Sequence, residues 1–128
     1  PKSDLISSER LTAEQRIRKQ DAFKDLVENG KFMRGRFFYL WVARQPQVGI
    51  EPIGRPMLGV VVNKKTQAKA VGRNKIKRRV REFFRTRQGE IRPDLALLIK
   101  AREGRAMPGK EDVEADLGEL FIKTGALL

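Results

Sequence analysis

The apolar positions change period along this chain, and each change marks an element. Phe23, Leu26 and Val27 recur at helical spacing as the inward residues of a helix that runs up to Asn29-Gly30, a good C-cap pair. Thr12-Ala13-Glu14-Gln15 has the form of a capping box, so this helix starts near Ala13 or, with Arg16-Ile17 extended, near Gln20. Lys31 to Arg44 is aromatic and β-branched, as one strand or, with its flank, more than one. Alternation sends Phe37, Tyr39 and Trp41 to one face and Phe38, Leu40 and Val42 to the other. Residues 45–56 hold Pro46, Gly49, Pro52, Gly54 and Pro56 and read as a turn or loop. Met57 to Val62 and Leu95 to Ile99 are almost wholly apolar, as strands buried on both faces would be. Between them Ile76, Val80, Phe83 and Phe84 recur at i, i+4, i+7 and i+8, one buried face of a helix that ends near Gln88-Gly89. After a Gly/Pro-containing loop over 103–110, Glu111 to Leu128 reads as a last helix with Val113, Leu117, Leu120 and Phe121 inward. The order is α-β-β-α-β-α. It predicts an α/β (α+β) fold with a mixed sheet and a parallel β-α-β crossover.

Charge changes the meaning of the central helix. Lys69 to Arg87 holds nine Lys/Arg and one acid, Glu82, so +8 of the chain's net +12 sits there. At 100° per residue, Asn74, Lys77, Arg78, Arg81 and Arg85 fall in a stripe facing away from the apolar one. A helix anchored by one face and basic on the other suits a polyanion. Lys offers phosphates a point charge, Arg a bidentate fork, and Asn74 a neutral donor and acceptor for a sugar or base edge. Arg79 and Lys75 lie outside the stripe, and Glu82 is placed to pair with Arg78 or Lys75. Lys64 and Lys65 end a strand beside this helix and read equally as a charged loop or as part of the basic surface. By periodicity alone Phe23 and Trp41 read as core packing before they read as stacking groups for unpaired bases. The last helix has five acids against Lys123.

Composition narrows the chemistry. The 128 residues suit one domain. Residues 1–15 read as a polar, mobile N-terminal extension and 16–128 as a single RNA-binding α/β domain. No apolar run is long enough to span a membrane, and the first ten residues lack the apolar stretch of a signal peptide. The chain has no His and no Cys, which removes the commonest general base, thiol nucleophiles and zinc knuckles. Asp21, Asp25 and Glu28 recur at helical spacing and read as a solvated face rather than a metal site. The expectation is a binder, not a stand-alone enzyme. The pI near 10.6 puts nucleic acid first among partners and an anionic membrane surface second.

Leu58-Gly59-Val60-Val61-Val62-Asn63-Lys64-Lys65, then Lys69-Ala70-Val71-Gly72-Arg73-Asn74-Lys75-Ile76-Lys77-Arg78-Arg79-Val80-Arg81-Glu82-Phe83-Phe84-Arg85, resembles the protein subunit of bacterial ribonuclease P. Arg73-Asn74-Lys75, followed by Lys77-Arg78, matches that family's RNR signature, with Lys in the third place. Arg16-Ile17, Phe23, Asn29-Gly30-Lys31 and Arg36-Phe37-Phe38 match its opening helix and first strand. The resemblance spans about residues 16 to 122. It implies a two-layer α/β sandwich like the second domain of ribosomal protein S5, with a left-handed crossover, an exception to the usual rule. It implies a cytoplasmic bacterial protein with no catalytic residues and no metal of its own. A partner RNA would carry the Mg²⁺-dependent site that removes the 5′ leader of precursor tRNA. Arg73, Asn74, Lys75, Lys77, Arg78, Arg81 and Arg85, with Lys64 and Lys65, would contact RNA. Phe23 and Trp41 would line a leader cleft between the first helix and the sheet. Trp41 stands where the family often has Tyr, and Val27 where a second Phe is frequent. Neither DNA nor a membrane is an expected partner. A ribosomal or RNA-chaperone protein on the same fold is the alternative class, and a protein-only carboxylate nuclease a third.

Overall fold

The structure, a computed structural model, describes residues 11–128. Four strands, β1 (Lys31–Arg34), β2 (Phe38–Arg44), β3 (Met57–Val61) and β4 (Leu95–Ala101), form one sheet in the order β1-β2-β4-β3. Three helices, α1 (Gln20–Asn29), α2 (Ala70–Arg87) and α3 (Lys110–Thr124), complete the domain. β1, β2 and β4 pair antiparallel, while β3 and β4 pair parallel and are joined through α2. The sheet is mixed, and the parallel unit is the pair of apolar runs read from the sequence.

The helix takes the later of its two possible starts. Ala13–Gln15 forms a single 3-10 turn, with the Thr12 backbone N–H donating to Gln15 Oε1 at 3.1 Å, and the α-helix proper begins at Gln20. Between them Arg16-Ile17 runs extended and bridges to Leu58, with Ile17 N–H donating to Leu58 O at 3.0 Å. This strap covers part of β3, an edge strand whose backbone would otherwise lie bare. Of the segment 1–15 expected to be mobile, residues 1–10 lie outside the described residues. Gln15 belongs to the fold, because its buried amide donates to Pro56 O and to Gln88 Oε1, both at 3.1 Å.

The sheet's two faces have different coverings. Phe38, Leu40, Val42, Leu58, Leu97 and Ile99 face α2 and α3 and build the larger core with Ile76, Val80, Phe84, Leu117 and Phe121. Phe83 and Phe121 meet edge to face at 5.2 Å, which fixes α2 against α3. The other face carries Ala43, Met57, Ala96 and Leu98 under Ala22 and Leu26 of α1, whereas Val27, expected inward, is exposed because the helix turns Ala22 rather than Val27 to the sheet. One short helix cannot cover a four-stranded sheet, so part of this face stays open.

Phe37 leaves the face assigned to it by alternation. Residues 36–37 form a bend between β1 and β2, and Phe37 packs against the larger core. Asp116 of α3 sets that bend. Its carboxylate accepts from the backbone N–H of Arg36 (2.7 Å), Phe37 (2.9 Å) and Phe38 (3.0 Å). The last helix stops at Thr124, before the left-handed Gly125, short of the expected Leu128.

Candidate nucleic-acid interface

The first surface is the outer face of α2. Ile76, Val80, Phe83 and Phe84 are buried, as their spacing requires, and the basic stripe is turned outward. Asn74, Arg78, Arg81, Glu82 and Arg85 of α2 line one open groove of about 440 Å³, together with Leu11 and Arg16 from the N-terminal segment. Arg16 comes from the strap on β3, not from the helix. Its place here could not be read from helical spacing, because it depends on tertiary contacts of the strap, the bridge to Leu58 of β3 and the Gln15 bonds to Pro56 and Gln88.

Electrostatics distinguish these cations. Arg16, Arg78 and Arg81 have no carboxylate or carbonyl partner among the described residues, whereas Glu82 pairs with Arg85 through contacts of 2.5 and 3.0 Å. Glu82 therefore bonds at i+3, rather than to Arg78 or Lys75 as its spacing also allowed. The Arg85 guanidinium holds the Glu82 carboxyl below its ordinary pKa. Partial burial, and then Arg16 nearby, push the Arg81 guanidinium below its own. Clustered guanidiniums that lack a carboxylate partner of their own repel one another, and an anion in the groove would relieve that repulsion.

The remaining basic residues divide by position. Arg73 turns back on its own loop and donates from Nη1 to Gln67 O (2.9 Å) and Ala68 O (2.8 Å). It thus fixes the entry to α2, with Nε and Nη2 left for a ligand. Lys75 is exposed and Lys77 half-buried on α2. Lys64 and Lys65 are exposed in the turn that leads into α2 and do not line the groove. Arg79, outside the stripe, donates to Pro108 O at 2.7 Å and ties α2 to the loop before α3.

The second surface is the open part of the other sheet face. Phe23 lies at the edge of α1 against Gly59, where a Cβ would come within 2.6 Å of the Phe23 ring. Only glycine lets the ring lie this close to β3. Trp41 stands across the sheet, half-buried, on the face that α1 leaves open. Phe23 and Trp41 thus flank one side of the sheet and belong to the same minor cluster. The structure adds two aromatics to them. Phe32 and Tyr39 pack with Trp41 at centroid distances of 5.0 and 6.0 Å, and Phe32 lies 5.7 Å from Tyr39. Tyr39 was readable by alternation. Phe32 was not, since its strand had no marked boundary in the sequence.

A basic groove on one side of a small mixed sheet and an aromatic, partly open face on the other are the geometry to be matched. The family model for ribonuclease P matches residues 11–125. The chain belongs to the ribonuclease P protein family. Curated relatives named ribonuclease P protein component include that of Shouchella clausii, 34% identical over 117 residues, covering 91% of each chain. That of Desulfatibacillum aliphaticivorans is 36% identical over 110 residues, covering 86% of this chain and 87% of its own. The fold agrees with the ribonuclease P protein of Staphylococcus aureus at a TM-score of 0.77, with 24% identity, covering 89% of this chain and 98% of that one. It also agrees with the Thermotoga maritima protein solved with 1-(4-fluorophenyl)-2-thiourea, at a TM-score of 0.68 and 27% identity, covering 82% and 95%. Among the described residues of this family member, no helix is long and apolar enough to cross a membrane. Nor do three or more acids gather there as a metal site.

Proposed function

We propose that this chain is the protein subunit of a bacterial ribonuclease P and works in the cytoplasm as an RNA-positioning component. The α2 groove takes the phosphate backbone of the catalytic RNA. The open sheet face takes the unpaired 5′ leader of precursor tRNA. The observation that carries this reading is the convergence of Arg16, Arg78 and Arg81 on one groove whose one carboxylate among the described residues, Glu82, is bonded to Arg85 instead. Guanidiniums so placed gain most from phosphate oxygens, which supply both charge and acceptors.

The division of labour follows from the side chains. With no His, no Cys and no acidic cluster among the described residues, the chain offers binding and orientation. The hydrolytic chemistry is that of Mg²⁺ ions held by the partner RNA. The protein lowers the cost of bringing two polyanions together and holds the leader in line, which counts most when Mg²⁺ is scarce. The acidic α3 lies on the sheet beside α2, and Asp116 serves the hairpin rather than the RNA.

The test is cleavage of a 5′-extended precursor tRNA at low Mg²⁺ by ribonuclease P RNA, with and without the chain. Stimulation by a chain that cuts nothing alone is the expected result. No stimulation of the cognate RNA would favour a ribosomal or chaperone role. Cleavage by the chain alone would place the chemistry in the protein.

A further inference from the structure

The open sheet face holds more aromatic surface than the Phe23–Trp41 pair requires. Sheet order puts β1 at the edge, and register sets Phe32 opposite Trp41 and Arg34 opposite Tyr39. Opposite residues of an antiparallel pair share a face. The rings of Phe32, Tyr39 and Trp41 meet at interplanar angles of 38° to 54°, a tilted cluster and not a closed stack. Phe32 remains 47% exposed. A phenyl ring placed only to shield Trp41 would gain from fuller burial, and half of this one faces solvent.

The surroundings select the occupant. Lys100 pairs opposite Tyr39 on the same face, Arg34 stands opposite it on the other side, and the Arg102 guanidinium lies 5.3 Å from the Tyr39 ring centroid. No acid belongs to the strand residues of this face. Exposed rings flanked by cations fit unpaired bases joined by phosphates, and not an apolar protein segment. Along α1 the surface beyond Phe23 offers the aliphatic Val27, itself 50% exposed. Aromatic surface therefore extends toward β1.

We infer that Phe32, Tyr39 and Trp41 form one stacking platform for single-stranded RNA, and that Phe32 sets how far along the leader the protein reads. The inference rests on the leader-cleft reading above and adds a direction to it. A strand held at Phe23 crosses Trp41 and reaches Phe32 with its more distal nucleotides, while Arg34 and Lys100 neutralise the intervening phosphates.

The experiment uses the reconstituted holoenzyme and two precursor tRNAs. One leader is short enough to stop at Trp41, and the other is long enough to pass the β1 edge. Phe32→Leu keeps an apolar cover on Trp41 but removes the ring. The expected result is about a tenfold loss of affinity for the long-leader precursor, the value of one stacked base, confined to that substrate. Phe32→Tyr should restore it. Trp41 is the chain's sole tryptophan, so its emission reports on this face directly. A leader oligonucleotide should still quench it in Phe32→Leu, at about tenfold higher concentration. Equal affinities for wild type and Phe32→Leu, or equal losses on both precursors, would overturn the platform. If Trp41→Ala also leaves long-leader binding intact and no quenching occurs, the cleft reading itself fails. Sensitivity to Trp41→Ala with indifference to Phe32→Leu removes only the platform.

Discussion

Replacing Asp116 by Ala tests how the aromatic face is held in place. The carboxylate is buried and accepts from three consecutive backbone amides, those of Arg36, Phe37 and Phe38. Hydrogen bonds to a charged acceptor contribute about 1.5–3 kcal/mol each, but three donors on one group are not additive. Some of the vacated space also admits water, since Arg36 is exposed and Phe37 only partly buried. The buried Phe38 N–H has no such outlet and bears the full cost of losing its acceptor. The expected destabilisation is about 3–4 kcal/mol, read from the shift in a urea midpoint at unchanged slope. Asp116→Asn keeps one acceptor oxygen but turns an NH₂ group toward the amides. It should cost nearly as much, about 2–3 kcal/mol. Because the bend joins β1 to β2, the same variants should weaken long-leader binding more than binding to the catalytic RNA. A loss below about 1 kcal/mol for both variants would refute the argument, as it would mean the amides find water at no cost.

Further outcomes are expected at the groove, the cleft and the core. Arg81→Met should weaken assembly with ribonuclease P RNA and flatten its salt dependence by about one unit of slope, while leaving the free chain at least as stable, since burial and Arg16 both oppose its charge; paired binding and melting curves check this. Glu82→Gln should cost the free chain no more than about 0.5 kcal/mol, because the pair is largely at the surface, yet tighten RNA binding by removing a negative charge from the basic groove. With the Glu82 pKa lowered in the folded state, that small increment is complete above the ordinary Glu pKa and vanishes as pH falls through the folded one; melts across the acid range test it. Gly59→Ala should displace the Phe23 ring, at about 1–3 kcal/mol, and narrow the preference for precursor over mature tRNA. Phe84→Ala, at a fully buried position, should cost about 3–5 kcal/mol in a denaturant melt.

The helices and central strands were legible because each repeats its apolar residues at one period over enough turns or pairs. Ile76, Val80, Phe83 and Phe84 define the inward face of α2, and so its outward face, without any tertiary knowledge. Phe37 was misplaced because alternation holds only while the chain stays extended, and a carboxylate almost eighty residues away bends it there. Arg16 and Phe32 escaped for a related reason. One reaches its groove through the strap's contacts with Leu58, Pro56 and Gln88, and the other gains its ring partners from strand register. A local pattern carries neither fact. Arg73 marks a different limit, since sequence gives a residue's charge but not which carbonyls that charge has already found.

On the function proposed above, the strap would let a small domain serve two RNA segments at once. Arg16 borders the α2 groove, while the next residue, Ile17, packs into the minor core beneath α1. Between them lies the bridge to Leu58, whose own side chain is buried in the larger core. Three consecutive layers are therefore pinned at one point on the edge of β3. The spacing between the basic groove and the aromatic face is set by close-packed sheet, not by a loop. A structured RNA on one side and a single strand on the other would then be held at a fixed separation, and positioning of a leader against a catalytic RNA depends on such a separation. Ile17→Ala should test this: with both sites chemically intact, it should lower cleavage of the long-leader precursor more than it lowers affinity for either RNA. Equal losses in affinity and cleavage would show that the strap serves stability alone.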